Sequence, residues 1–153
     1  MKLDIRRIDS LPAAVALAPL LDRCAAQFWR EFSDQPWPEG ASERFLRRWF
    51  DAPQTVLLTA SEPARAEPWA VCLSGPLEDP LRGEVTPTLL VLHVEAALRR
   101  RGVARELVDE LTSILQQRGL TRLAARVGHN DDALISMGER WGFVRAWEWI
   151  VRE

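Results

Sequence analysis

A run of arginines followed by a glycine stands immediately before an amphipathic segment in the second half of the sequence. Residues 99–101 are arginines, Gly102 follows them, and Ala104 is the next small residue. The first turn of an α-helix exposes unpaired N–H groups at the positive end of the helix dipole, where anionic phosphate binds readily. Small residues let a pyrophosphate approach the backbone, and guanidinium groups add charge and paired donors. The segment predicts a phosphate-binding loop, with a solvated basic helix cap as the alternative.

Two titratable groups lie close enough to this loop in sequence to exchange protons with a substrate. His93 lies on an apolar strand segment, and a reference pKa of about 6.5 suits a general base. Glu95 lies just past the strand and could act through a water molecule, and Glu84 is a more distant option. Side chains alternate along a strand, so His93 and Val94 point to opposite faces, and a packed core histidine is the alternative.

An aromatic residue and two carboxylates share a loop in the first third of the sequence. Asp34 and Glu39 flank Trp37, which stands between two prolines and is hard to bury by periodicity alone. Aromatic faces attract cations, and carboxylates form ion pairs with them. We therefore predict that these three residues contact a cationic amine, with simple loop packing as the alternative.

Helices and strands must bring these residues together, and the periodicity of the hydrophobic residues predicts which segments form them. Alternation at residues 3–6 indicates a first strand. A helix follows, with Ser10 as its N-cap, Pro12 in its first turn and Pro19 where it kinks or divides. The proline-rich loop then leads to a second helix capped by Ser42.

The middle of the sequence predicts the strands of a sheet. Residues 56–58 and 69–73 are apolar and are joined by a turn-rich segment, which indicates an antiparallel hairpin. Residues 76–87 indicate a polar loop. Residues 89–94 form a nearly continuous apolar run, which is typical of a central strand buried on both faces.

A crossover helix and two further strands complete the order. Apolar residues recur at helical spacing from Val103 until Gly119 ends the helix. Residues 123–127 alternate and form a strand parallel to the preceding one. A last helix begins at residues 130–132, and residues 143–151 form a final strand. This order predicts a mixed α/β (α+β) fold.

Composition bounds the class of protein. The 153 residues suit one domain, since single cores typically organise about 100 to 150 residues. A net charge of -2 and a pI of about 5.8 argue against general affinity for nucleic acid or anionic membranes. Cys24 and Cys72 lack metal-ligand spacing, which predicts reduced thiols, no metal site and a cytoplasmic protein. No apolar run approaches the roughly 20 residues that span a bilayer.

Two segments resemble the GNAT superfamily of N-acetyltransferases. Leu92 and Val94, the Arg-x-x-Gly-x-Ala pattern at residues 99–104, and Leu107 resemble its acetyl-CoA signature. Residues 130–143 look like the family's Asn-x-x-Ala helix that ends in Gly-Phe. The first 80 or so residues match only in the layout of elements, which is expected because that region shapes the acceptor pocket.

The resemblance implies a fold and an activity. The fold would be a mixed, mostly antiparallel sheet, flanked by helices and splayed where its central strand meets its parallel neighbour. Residues 1–153 would form one domain, with an acceptor-shaping part at about 1–85 and an acetyl-CoA-binding part at about 86–153. The activity would be direct transfer of acetyl from acetyl-CoA to a primary amine of a small molecule or peptide, in a ternary complex. Separately from the resemblance, Trp147 and Trp149 of the predicted final strand either line the floor of the cleft or cover a sheet edge in a homodimer.

The resemblance also implies roles for single residues. The strand end would bond the pantetheine arm and thioester carbonyl, the loop would hold the pyrophosphate mainly through backbone amides, and an asparagine would meet the pantetheine from the opposite wall. These cofactor-binding residues are Leu92, Val94, Arg99, Arg100, Arg101, Gly102, Val103, Ala104, Arg105 and Asn130.

One position departs from the family pattern. Many members place a tyrosine in the last helix to protonate the departing sulfur, whereas the matching positions here are Met137 or Gly138, and the chain contains no tyrosine. Ser136 or water could assist instead. A thiol of pKa about 8.5 is also a competent leaving group without full protonation. Two alternatives to an active acetyltransferase stay open: a CoA-binding module with weak or no catalysis, and an RNA- or phosphate-binding protein.

Overall fold

The computed structural model describes residues 3–29, 34–63, 65, 67–78, 83–127 and 132–145. Its five strands form one sheet in the order β1-β2-β3-β4-β5. The strands are β1 (Asp4–Arg7), β2 (Val56–Ser61), β3 (Ala70–Glu78), β4 (Val85–Val94) and β5 (Ala124–Ala125). The helices are α1 (Leu11–Val15), α2 (Ala18–Trp29), α3 (Ala41–Phe50), α4 (Val103–Gln117) and α5 (Asp132–Arg140), with a short 3-10 turn at Ala96–Leu98.

The sheet is antiparallel except at its last pair, which confirms the predicted mixed fold. β1, β2, β3 and β4 pair antiparallel in sequence order. β4 and β5 pair parallel, through Thr88 with Ala124 and Leu89 with Ala125. The crossover helix α4 ends before Gly119, which has a φ of +77°, as its glycine predicts.

The N-terminal helical region divides where a proline predicts it. Ser10 caps α1, its hydroxyl accepting from the Ala13 N–H at 3.4 Å, and α2 starts next to Pro19. The predicted Ser42 cap of α3 is wrong. Gly40 is the N-cap, with a φ of +67°, and Ser42 lies buried in the first helical turn. Gly40 adopts the left-handed backbone that begins this helix, and glycine takes this conformation without steric cost.

The predicted polar loop at residues 76–87 is also wrong at both of its ends, which belong to strands. β3 continues to Glu78 and β4 begins at Val85, with Pro76 and Pro87 as register partners. The fixed φ of proline fits an extended strand, and its cost is only a missing ladder donor. A register shift between Leu73 and Ser74 accommodates the irregular pairing.

Helices cover both faces of the sheet, and each face has its own core. On one face, Ala70, Cys72 and Val94 pack with Val103 and Leu107 of α4. On the other face, β3 side chains pack with residues of α1, α2 and α3. β2 and β3 are therefore the strands buried on both faces, and the prediction of that role for residues 89–94 is wrong, since Leu89 to His93 are only partly buried.

The predicted final strand lies mostly outside the described residues. Phe143, Val144 and Arg145 have no regular secondary structure, and residues 146–153 are not described. None of the helices that the structure describes is long and apolar enough to cross a membrane.

Candidate active site

The start of α4 has the geometry of an anion cradle. Gly102 is the N-cap with a φ of +83°, and Arg100 before it also has a positive φ, +64°. The Glu106 N–H bonds the Gly102 carbonyl at 3.0 Å, so the amides of the first turn precede the helical hydrogen-bond ladder. A Cβ built at Gly102 meets nothing within 4 Å. The cradle is open in front and offers main-chain N–H donors to a ligand.

The side chains around the cradle separate into an anchored part and an exposed part. Val103 is buried in the core between α4 and the sheet, which we call the α4 core, and Ala104 packs partly against this core. Arg100 and Arg101 are exposed beside the cradle. Arg105 is exposed too and pairs with Asp109 at 3.5 Å. The helix start is thus held by apolar packing while positive charge remains at its mouth.

The sheet opens next to this cradle. In the described part of the chain, the parallel pairing of β4 with β5 ends at Leu89 and Ala125, although β4 runs on to Val94. The Glu95 N–H bonds the carbonyl of Trp69, the residue just before β3, at 3.0 Å. Hydrogen-bonded and non-hydrogen-bonded pairs alternate along an antiparallel ladder. Val94 therefore directs its backbone groups away from β3, toward the side where β5 has separated.

His93 lies on the opposite face of β4 from Val94, as alternation predicts. Val94 packs in the α4 core, whereas the register partner of His93 is Val71, which packs in the other core. Burial first, then the positive charges of Arg99 and Arg23, lowers the pKa of His93 below its usual 6.5, while Glu95 acts in the opposite direction. His93 is therefore neutral, and able to accept a proton, at neutral pH.

A small pocket surrounds this histidine between β4 and α2. Its volume is about 300 Å³, and we call it the histidine pocket; it is lined by Arg23, His93, Glu95, Ala96, Ala97 and Arg99. Arg23 lies 3.6 Å from a Glu95 carboxylate oxygen. Cys24 on α2 lies nearby, and burial raises the pKa of its thiol to about 12, so it stays protonated and is not a nucleophile. The structure thus brings together His93 and Glu95, whereas Glu84, the third candidate base, lies 3.9 Å from Arg122 and does not line this pocket.

A larger cavity lies on the adjacent face of α2. Its volume is about 710 Å³, we call it the tryptophan cavity, and its lining includes Asp22, Ala26, Asp34, Trp37 and Glu39. The indole N–H of Trp37 donates to an Asp22 carboxylate oxygen at 3.1 Å. The three residues predicted to contact an amine therefore line one cavity.

The remaining predicted residues lie elsewhere. Asn130 falls outside the described residues. Ser136 is exposed on α5 and is not among the residues that line either cavity. Met137 is partly buried. A Cβ added to Gly138 would lie 3.7 Å from the Cβ of Phe143. The two positions that match the tyrosine of many family members therefore carry no titratable side chain in this protein.

Two residues of α2 were missed by the sequence interpretation. Asp22 and Arg23 are adjacent in sequence, yet Asp22 lines the tryptophan cavity and Arg23 the histidine pocket. Consecutive helical residues point about 100° apart, which explains how one helix serves both spaces. The signal available in the sequence was only a polar pair on an amphipathic helix.

The family follows from comparison with known proteins. A model of the acetyltransferase (GNAT) family matches residues 21–143. The chain belongs to the GNAT acetyltransferase family. The match includes β4, the cradle, α4 and α5, so the GNAT assignment rests on the segment that forms the candidate site. No curated protein sequence matches this GNAT chain significantly.

Solved GNAT structures share the fold over nearly the whole chain. The aminoglycoside antibiotic 6'-N-acetyltransferase AAC(6')-Ih from Acinetobacter baumannii is 17% identical with a TM-score of 0.73, covering 99% of this chain and 97% of that one. AAC(6')-Iy, solved with a bisubstrate analog of CoA and acetylneamine, is 15% identical with a TM-score of 0.74, covering 100% and 98%. A ribosomal-protein-alanine N-acetyltransferase from Brucella melitensis is 18% identical with a TM-score of 0.69, covering 99% of both chains. At these identities the likeness shows the fold alone.

Proposed function

We propose that this protein is an N-acetyltransferase that transfers acetyl from acetyl-CoA to a primary amine of a small molecule or peptide. The observation that carries the proposal is the open cradle at Gly102 beside the point where β4 and β5 separate. We also propose that residues 1–153 form one domain, with the acceptor shaped by about residues 1–85 and acetyl-CoA held by about residues 86–153.

The residues at the cradle fit the pyrophosphate of CoA. Main-chain N–H groups at the α4 start, a glycine with nothing in front of it and two exposed arginines form a positive, unobstructed surface. Arg100 and Arg101 supply bidentate donors there. Arg105 would have to leave Asp109 to join them, a small change because exposed ion pairs contribute little.

The backbone of β4 supports the transfer step. When bound, acetyl-CoA supplies an activated acetyl group as a thioester. Val94 directs its N–H to the open side of the sheet, where it would hold the thioester carbonyl, with Leu92 beside it along the pantetheine arm. An oriented donor of this kind contributes about 3 to 4 kcal/mol at comparable oxyanion sites.

The histidine pocket supports proton removal from the amine. An amine attacks only when it has lost its proton, and a neutral His93 can accept that proton directly. Glu95 is the second candidate, acting through a water molecule. Both side chains line a pocket at the end of β4, on the strand that carries Val94.

The tryptophan cavity supports a cationic acceptor. Asp22, Asp34 and Glu39 give it negative charge, and Trp37 gives it an aromatic surface. The histidine pocket is lined by the next residue of α2, Arg23, so one helix contributes to both spaces. Small-molecule amines fit this arrangement, and the names of several of the structural relatives refer to aminoglycosides.

One observation favours a second candidate, a CoA-binding module with weak or no catalysis. The chain contains no tyrosine, and the matching positions of α5 carry Met137 and Gly138. Ser136, which we propose as a substitute acid, is exposed. Tight binding of acetyl-CoA without acetylation of any amine would identify this alternative.

A thiol-release screen tests the proposal. Purified protein is incubated with acetyl-CoA and a panel of primary amines that includes polyamines, aminoglycosides, amino acids and peptide N-termini. We expect amine-dependent release of free thiol, greatest with acceptors that carry a second positive charge. Release that does not depend on any amine would contradict acetyl transfer.

A further inference from the structure

The side chain of Arg99 leaves the phosphate loop and runs to the end of β4. Its Nε donates to the Val94 carbonyl at 2.9 Å. The guanidinium lines the histidine pocket with Arg23, His93 and Glu95. Its charge also acts on Cys24 of α2. These contacts lie at the end of β4 and in the histidine pocket, whereas Arg100 and Arg101 line neither cavity.

The Val94 carbonyl needs such a partner. Val94 is only 8% exposed, and its backbone groups point away from β3. Among the described residues, β5 pairs with β4 only at Thr88 and Leu89, five residues earlier in β4. A buried carbonyl left without a partner costs stability, and a strand without a neighbour tends to acquire one. Arg99 therefore supplies the donor that the Val94 carbonyl does not receive from β3.

The main chain around Arg99 holds this arrangement rigid. The 3-10 turn returns the chain toward β4, with the Leu98 N–H bonding the Glu95 carbonyl at 2.9 Å and the Arg99 N–H bonding the Ala96 carbonyl at 3.3 Å. Leu98 packs against the α4 core. The side chains of Leu98 and Arg99 thus tie the turn to both sides of the strand end.

We propose that Arg99 is a positioning residue that bonds the Val94 carbonyl, fixes the end of β4 and leaves the Val94 N–H available to the thioester. This inference rests on the proposed function for its catalytic part, and its structural part concerns the free protein alone. The Arg99 side chain is thereby assigned to the end of β4 and the histidine pocket, and phosphate contact is assigned to Arg100 and Arg101.

Three substitutions separate the carbonyl bond from the positive charge. Arg99→Leu removes both, Arg99→Gln keeps a short donor without charge, and Arg99→Lys keeps charge with a single terminal donor. Arg118→Leu is the matched control, because Arg118 also donates to a main-chain carbonyl, that of Gln54 at 3.4 Å, near the other end of α4. Arg101→Gln serves as the phosphate-contact comparison.

The experiment combines hydrogen exchange of the free protein with kinetics and CoA binding. In Arg99→Leu we expect amides 95, 98 and 99 to exchange about 10- to 100-fold faster than in wild type, because that factor corresponds to the free energy of one charge-assisted hydrogen bond. We expect kcat to fall by a similar factor. Arg99→Gln should restore slow exchange and most of kcat. The Kd for CoA should change little in either variant and should rise in Arg101→Gln. Arg118→Leu should leave all these values unchanged.

Two results would overturn the inference. One is unchanged exchange at amides 95, 98 and 99 in Arg99→Leu, which would show that the bond does not hold the strand end. The other is a CoA Kd that weakens in Arg99→Leu and Arg99→Gln but not in Arg99→Lys, which would assign the side chain to phosphate. Wild-type protein without CoA binding would contradict the proposed function instead, while the exchange result would still decide the role of Arg99.

Discussion

Replacing Gly102 by glutamate places a carboxylate in the open front of the cradle. Nothing lies within 4 Å of the added Cβ, so the substitution creates no steric clash with the fold. The φ of +83° makes it strained, because an L-residue in the left-handed region costs about 1–2 kcal/mol. A negative charge at a helix N-terminus offsets part of that cost, about 0.3–1 kcal/mol. The variant should fold.

The loss of CoA affinity is much larger than the loss of stability. A carboxylate about 6 Å from one phosphate charge, at an effective dielectric constant of about 20, repels it by about 3 kcal/mol. That energy corresponds to a weakening of about 100-fold, and a second phosphate charge adds to it. The added side chain also occupies the space that the pyrophosphate needs. We therefore expect a rise in Kd of at least about 100-fold.

The assay is calorimetric titration with CoA, and α4 offers a matched control at its other end. Gly119 has a φ of +77° and nothing within 4 Å of an added Cβ, so Gly119→Glu carries the same strain and the same charge. At a helix C-terminus the carboxylate is unfavourable, so this control should be at least as destabilised. Its Kd for CoA should match that of wild type.

Two results would refute this reasoning about the cradle. If Gly102→Glu melts cooperatively and binds CoA as tightly as wild type, the α4 start does not hold the pyrophosphate. If Gly119→Glu loses affinity to the same extent, the loss at Gly102 reflects general destabilisation of the helix.

Three further predictions concern the acid–base chemistry, the acceptor and the packing. The NMR titration midpoint of His93 should lie below 6.5, because burial and nearby cations lower its pKa. The contribution of His93 to stability is therefore complete above pH 6.5 and is lost as pH falls through the lower pKa of the folded state. A midpoint above 6.5 would contradict a buried imidazole flanked by cations. Asp22→Asn should raise the KM for a cationic amine about 5- to 10-fold with kcat nearly unchanged. The control Glu43→Gln, on the exposed side of α3, should change neither constant. Equal KM values in the two variants would show that Asp22 does not contact the acceptor. Gly75→Ala should destabilise the protein by about 1–3 kcal/mol in urea unfolding, because its Cβ would lie 2.6 Å from the Trp49 ring; an unchanged midpoint would show that the ring can move.

Features that depend on local sequence were predictable. The α4 cradle follows from a glycine at a helix start and from 3.6-residue periodicity, and both act within a few residues. The division of the first helical region at Pro19 and the cap at Ser10 have the same local origin. The hairpin of β2 and β3 was predicted for the same reason.

Features that depend on tertiary packing were not predictable. Pro76 and Pro87 gave a turn signal, but their pairing across two strands is a long-range property. Asp22 and Arg23 resembled the solvated face of a helix until α2 was placed against β4. The direction of the Arg99 side chain depends on the 3-10 turn, which no pattern in the sequence indicated, and on the end of the β4–β5 pairing, which only the family resemblance implied.

The most direct test of acetyl transfer is the product itself. Protein, acetyl-CoA carrying an isotope-labelled acetyl group and the best amine from the screen are incubated together, and the labelled amide is quantified by mass spectrometry beside the thiol released. We predict one N-acetylated amine for each thiol, with product formation at low acetyl-CoA concentration strongly reduced in Gly102→Glu and retained in Gly119→Glu. Thiol release without labelled amide, or product formed by Gly102→Glu at the wild-type rate under these conditions, would contradict an acetyltransferase site built on the α4 cradle.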